Sequence, residues 1–331
     1  MAVQISFIGL GQIGTSIGLA LAGQKETIHR HGNDRQPGVA RQAEKMGAID
    51  KINYNLPSLV RGADLIILDI PVDEIQETLK VIALDLKEGA VVLDTSTVKI
   101  PVSAWAAELL PPNRHLVAWT PSFNPAYLQE AASGIDAAHA DLFQNSLIFI
   151  THAQGTDEQA VKLAADLATL VGSRPFFADP YETEGLLAAS HMLPWLTAAA
   201  VLNSTQDQPG WDEGRKLAGK RYAEMTTAIT ELDGTTNLGQ AALLNRQNVV
   251  RVLDSLMNAL FELREAVDKQ DAKKLTFLLD KAVKGRNEWL AQRHAANWGA
   301  EKEKAPYLPT SGEKFGQLIG FGRRKTPKIN S

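Results

Sequence analysis

The stretch "QISFIGLGQIGTSIGLAL", residues 4–21, decides the fold. A β-branched apolar run leads directly into Gly9, Gly11 and Gly14, and the apolar spacing then turns helical. Strand, glycine turn and helix in that order make a dinucleotide-binding βα unit. Gly9 allows the tight turn, Gly11 lets the backbone approach a pyrophosphate, and Gly14 permits close helix packing on the sheet. The helix start, with its unpaired N–H groups and partial positive charge, then faces the phosphates, so Gly9, Leu10, Gly11, Gln12, Ile13 and Gly14 form the expected phosphate-binding segment. Asp34 ends the next strand pattern, 20 residues beyond Gly14. An acid at that spacing hydrogen-bonds the adenosine ribose and repels a 2′-phosphate, which favours NAD over NADP. Arg35 beside it keeps NADP open, because an arginine there can stack on adenine or pair with the extra phosphate.

Up to about residue 178 the pattern repeats. Apolar runs such as "ADLIILDIP" (63–71), "GAVVLDTST" (89–97), "HLVAWT" (115–120), "SLIFITH" (146–152) and "RPFFAD" (174–179) alternate with helical spacings. Continuous apolar strands belong to a parallel sheet covered on both faces, so the fold class is α/β, a Rossmann-type doubly wound parallel sheet. Ligands of such sheets sit at the carboxyl ends of the strands, which points to Ile70, Pro71, Ile75 and Ser96 as further cofactor contacts, with Thr95 and Thr97 close by. From Asp179 the strands stop and an all-α region follows. The expected division is 1–178 for the dinucleotide-binding domain, 179–300 for a helical substrate and dimerisation domain, and 301–331 for a Gly- and Lys/Arg-rich tail. Val249, Leu253, Leu256, Leu260 and Leu263 form one apolar stripe; such a stripe suggests a homodimer, the alternative being a self-contained bundle. "MLPWLTAAAVL" (192–202) is too short to span a bilayer and reads as a buried helix.

Composition bounds the function. With 34 basic and 38 acidic residues and a net charge of −4, the chain lacks the electrostatic footprint of a nucleic-acid or anionic-membrane binder. A small-molecule partner is expected. No cysteine is present, which excludes disulfides, thiolate metal sites and a cysteine nucleophile, and fits a reducing cytoplasm. Seven scattered histidines offer no metal-ligand spacing, so no metal is expected. Met1 runs straight into the first strand without a basic segment or a cleavage site, unlike a signal peptide.

The order of motifs resembles the prephenate/arogenate dehydrogenase family. It is carried by "FIGLGQIGTSIGLAL", "ADLIILDIPVDEI", "VVLDTSTVK", "SGIDAAHADLF" (133–143), "AASHML" (188–193) and "LLNR" (243–246), from residue 5 to about 250. The resemblance implies oxidative decarboxylation of a carboxylated cyclohexadienol by NAD(P)+, a step of tyrosine biosynthesis. Hydride leaves the alcohol carbon, and aromatisation drives loss of carbon dioxide. The chain departs from the family in its substrate half. Thr120 stands where the family carries its basic histidine, and about five residues are inserted before Ser133-Gly134. Thr227 stands where the family carries a carboxylate-binding arginine, Glu182 and Thr183 replace a His-Asp pair, and Thr97 replaces a serine while keeping the hydroxyl. Ser190-His191 matches.

These departures leave a short set of chemical candidates. His191, Thr120 and Thr97 are the catalytic candidates, and His191 is the candidate base or substrate ligand. A helix histidine hydrogen-bonded within the core is the bland alternative. Lys99, Arg221, Tyr222 and Asn245 are the expected ligands of a carboxylated substrate; Lys99 could equally solvate the sheet edge, and Arg221 a helix face. The insertion "FNPAYLQE" (123–130) is either a lid or a plain surface loop. Two further functions stay open: a dehydrogenase of this fold acting on a different hydroxy acid or alcohol, and a non-catalytic dinucleotide sensor.

Overall fold

The computed structural model describes residues 2–229, 235–296 and 298; the expected tail, 301–331, lies outside them. Eight strands form one sheet: β1 (Val3–Ile8), β2 (Ile28–Asn33), β3 (Lys51–Ile52), β4 (Leu65–Leu68), β5 (Val91–Asp94), β6 (His115–Pro121), β7 (Leu147–His152) and β8 (Arg174–Phe177), in the order β3-β2-β1-β4-β5-β6-β7-β8. The first six strands run parallel, as the apolar runs require. β7 pairs antiparallel with β6 and parallel with β8, so the sheet is not parallel throughout. The cause is the connection. A parallel return usually runs through a crossover helix, whereas residues 122–146 between β6 and β7, though long enough for one, hold only short 3-10 turns at Pro125–Tyr127 and Gly134–Ala137.

Helices cover both faces: α1 (Gln12–Ala20), α2 (Pro37–Met46), α3 (Leu56–Val60), α4 (Val72–Ile82), α5 (Ile100–Leu109) and α6 (Glu158–Leu170). One core cluster unites β1, α1 and α6 around Phe7, Ile17, Trp119 and Leu167; the other lies under α4 and α5 around Ile66, Ile75, Leu79 and Val102. Trp119 is fully buried and gives its indole N–H to the Ala164 carbonyl at 3.1 Å, so it is core rather than site.

The helical region comprises α7 (Pro180–Leu187), a π-turn at Ala188–Met192, α8 (Leu193–Gln206), α9 (Trp211–Leu217), α10 (Lys220–Thr226), α11 (Thr235–Leu244), α12 (Arg246–Asp268) and α13 (Ala272–Ala295). Residues Pro180–Gln206 form one continuous helical run of 27 residues, with a mean hydropathy of 1.5 over its most apolar window. By length and composition that run could cross a bilayer. The buried-helix expectation for 192–202 is corrected: within α8 only Ala198 is buried. The α12 stripe is covered at its start, where Val249 is buried, and open further on, where Leu260 is 54% exposed. Met257, Phe261, Phe277 and Val283 are exposed as well.

Candidate active site

The glycine turn is built as the sequence demands. Gly9 has φ +94, and a side chain there would meet the Asp69 carbonyl oxygen at 1.9 Å; one on Gly14 would meet the Gly9 carbonyl at 2.4 Å. Both approaches are backbone to backbone, so no rotamer change relieves them. Gly11 is the N-cap of α1. Among the described residues nothing accepts from the N–H groups of Gly11, Gln12 and Ile13, which leaves three donors at the positive end of a helix. Asp34 follows β2 and accepts the Leu10 N–H at 3.0 Å and the Gln36 N–H at 2.8 Å. Each carboxylate oxygen keeps a second lone pair, so both acceptors remain usable by ribose hydroxyls. Cradle, open donors and acid together fit a dinucleotide. Arg35 pairs with Glu74 at the surface rather than lying free.

Several expected cofactor contacts are placed otherwise. The Leu10 side chain is fully buried and its N–H is taken by Asp34; Ile13 packs on the core. Ile70 is half-buried on the second core cluster, and Pro71 caps α4. Ile75 is fully buried on the inner face of α4. The Ser96 hydroxyl is engaged by Asp94 and the Val98 carbonyl, holding the loop after β5. Thr97 is half-buried in the same loop.

Asp69, which the sequence reading missed, lies beneath the glycine turn. Its Oδ2 accepts the Gly14 N–H at 2.8 Å, and its Oδ1 is 3.1 Å from the Thr95 hydroxyl. That hydroxyl also lies 3.0 Å from the Leu68 carbonyl, which can only accept its single proton. Burial pushes the Asp69 carboxyl up, and the charge of Asp34 adds to the rise. A protonated Asp69 donating to Thr95 Oγ1 satisfies this geometry. The only sequence signal was an acid ending an apolar strand.

Lys99 is corrected from substrate ligand to strut. It is fully buried; its Nζ lies 3.2 Å from Asp94 Oδ2, itself fully buried, and also donates to the Ser96 carbonyl. Its backbone N–H and that of Ile100 both donate to Glu184 Oε1 at 2.8 Å, which ties α7 to the start of α5. The other expected ligands also lie elsewhere. Arg221 is exposed on α10. Tyr222 hydrogen-bonds Thr205 at 2.7 Å and packs on Trp211. Asn245 is buried and gives its amide to the Glu184 carbonyl at 2.9 Å. Thr227 is exposed and bonds its own helix.

What the fold does assemble is a cavity of about 360 Å³ at the carboxyl end of β6. Thr120, Phe123, Leu128, Leu187, His191 and Arg293 contribute to its wall. Thr120 is 7% exposed, and its Oγ1 is a buried polar atom with no hydrogen-bond partner. The insertion supplies Phe123 and Leu128, so it forms one side of the cavity. His191 sits in the π-turn, a local widening of the helix often found at functional sites. The Ser190 hydroxyl donates to the Leu186 carbonyl at 2.8 Å and lies 2.9 Å from His191 Nδ1. Having spent its proton, Ser190 can only accept from Nδ1–H, which leaves Nε2 as a bare acceptor. His191 keeps part of its surface exposed at the cavity mouth; desolvation by the atoms around its ring, and after it the Lys99 charge, lower its pKa from the ordinary value, so the ring is neutral near pH 7. Arg293, at the end of α13, escaped the sequence reading because nothing near it in the sequence marks the cavity.

A glycine-cradled helix start and a histidine-bearing cavity on one parallel sheet edge define a dinucleotide-dependent dehydrogenase. The family model "Prephenate dehydrogenase, nucleotide-binding domain" matches residues 17–176. A cyclohexadienyl dehydrogenase of Zymomonas mobilis is 27% identical over 270 residues, 81% of this chain and 89% of that protein. A prephenate dehydrogenase of Bacillus subtilis is 25% identical over 275 residues, 82% and 72% of the two chains. The crystal structure of Aquifex aeolicus prephenate dehydrogenase with hydroxyphenyl propionate and NAD+ has the same fold. It gives a TM-score of 0.74 at 20% identity, covering 87% of this chain and 98% of that one. Over residues 17–176 the chain matches the nucleotide-binding domain of the prephenate dehydrogenase family, and over most of its length it is similar to dehydrogenases of that name.

Proposed function

We propose that the protein oxidises a carboxylated cyclohexadienol, prephenate or arogenate, with NAD+ as acceptor and loss of carbon dioxide, in tyrosine biosynthesis. One observation carries the reading: the cavity holding His191 and Thr120 opens at the end of β6, three strand positions from the glycine turn after β1. At about 4.8 Å per strand that separation is about 14 Å, comparable to the reach of a dinucleotide from pyrophosphate to reacting ring. Relatives named prephenate and cyclohexadienyl dehydrogenases support the substrate class.

Bound NAD+ supplies the acceptor for the hydride of the alcohol carbon. The glycine turn holds the pyrophosphate on the donors of Gly11, Gln12 and Ile13, and Asp34 takes the adenosine ribose. NADP remains a weaker acceptor, since its 2′-phosphate meets Asp34 and can gain only Arg35. His191 Nε2 takes the proton of the ring hydroxyl, and Thr120 Oγ1 orients that hydroxyl without exchanging a proton. Phe123, Leu128 and Leu187 keep water from the ring.

The division at about residue 178 and the helical second domain belong to this reading. So does a homodimer, which covers the open faces of α12 and α13; the protein acts in the cytoplasm without nucleic acid or membrane. A second reading, a different hydroxy acid or alcohol, is favoured by Thr120 and Thr227 standing in place of the family's histidine and arginine. Incubation of the purified protein with prephenate or arogenate and NAD+ or NADP+ separates them. Formation of reduced cofactor with any pair supports the first reading. No turnover with any pair, together with turnover of another acid or alcohol, establishes the second; nucleotide binding without turnover of anything leaves a sensor.

A further inference from the structure

Of the cations in the described structure, Arg293 is placed in an unusual way. Its guanidinium is half-buried, and burial is the cause that lowers its pKa. The fully buried Arg30 answers the same desolvation with a bidentate pair to Asp50. Arg293 has no carboxylate partner among the described residues. Its Nη1 donates to Ser122 Oγ at 2.7 Å and its Nη2 to the Phe123 carbonyl, while the Trp298 ring lies 5.1 Å from its Cζ. Two of five N–H donors are thus used, and both bonds orient the group from the insertion side of the cavity. No aspartate or glutamate is among the described residues lining that cavity. A desolvated, oriented cation without a counter-ion is a costly arrangement, relieved when an anion enters.

We infer that Arg293 is the substrate-carboxylate anchor of this enzyme, placed on the last described helix instead of at the family position now held by Thr227. This rests on the function proposed above and deepens it: the substrate is an anionic ring compound gripped by its carboxylate at Arg293, with its hydroxyl directed to His191 and Thr120. The cavity volume of about 360 Å³ suits a single substituted ring. The displaced anchor and the insertion are one device, because Ser122, just before the insertion, and Phe123, its first residue, hold the guanidinium in place.

The test compares two probes of the cavity by calorimetry in the presence of NAD+: 3-(4-hydroxyphenyl)propionate, which carries the carboxylate, and 4-ethylphenol, which lacks it. Wild type is expected to favour the acid, Arg293→Gln to lose at least tenfold in acid affinity with the phenol unchanged, and Arg293→Lys to retain part of it. In turnover the same loss appears in KM more than in kcat. A merely structural role weakens both probes alike, and that result overturns the inference. So does an Arg293→Gln variant that binds the acid as wild type does. A wild type that binds the acid through Arg293 yet oxidises neither prephenate nor arogenate sinks the proposed reaction and upholds the anchor; a wild type that binds no acid overturns both.

Discussion

Lys99 is the residue for which the two readings of the chain predict opposite behaviour. As a substrate ligand it should be dispensable for stability; as a strut it should not. Lys99 and Asp94 are both fully buried at 3.2 Å. At an effective dielectric near 20 their attraction is about 5 kcal/mol, partly offset by the desolvation of both groups. Removing one partner leaves the other charge uncompensated, so Lys99→Met is expected to cost about 3–5 kcal/mol in urea unfolding at pH 7. Asp94→Leu should cost at least as much, since it also abandons the Ser96 N–H and hydroxyl. The double variant should lose clearly less than the sum, because no charge is then stranded. A domain of ordinary stability, about 5–15 kcal/mol, stays folded through the single changes. The reasoning is refuted if Lys99→Met loses under about 1 kcal/mol while its affinity for a carboxylate probe collapses, because Lys99 then faces substrate.

Three further outcomes follow from the site. Asp34→Ser should weaken NAD+ at least about tenfold and spare NADP+, read by fluorescence titration of the reduced cofactors; unchanged NAD+ affinity removes Asp34 from the ribose site. Gly9→Ala should abolish nucleotide binding and destabilise the fold by several kcal/mol, about 1–3 from the positive φ alone, whereas Gly23→Ala, with open space around it, should be near neutral. Asp69→Asn tests a protonated acid. A carboxyl whose folded pKa is raised stabilises the native state below its unfolded pKa of 3.8 and loses that contribution as pH rises through the folded value. The variant should therefore gain stability over wild type as pH is raised from 4 to 7, and a gap that does not change with pH places Asp69 as an ordinary ionised group.

The cofactor half was legible because its requirements are local. A turn in which a Cβ on Gly9 or Gly14 would meet backbone at 1.9 or 2.4 Å admits only glycine, and the acid ending β2 falls at a spacing fixed by one βα unit. The reversed β7 was not legible, since the apolar run 147–152 fits either direction and only the missing crossover helix settles it. The substrate half failed for a different reason. Asn245 lies in a segment that matches the family and Arg221 and Tyr222 in one that departs from it, but side chains reach a cavity through tertiary geometry. His191 enters it through a π-turn, and Arg293 comes from the end of α13, 171 residues from its partner Ser122. Loss of a histidine and an arginine from the family's positions reads, along the chain, as loss of a base and an anion site. In the folded molecule a histidine and an arginine with no carboxylate partner among the described residues face one cavity, so on the function proposed above the chemistry has moved between elements while the sheet that presents it has not.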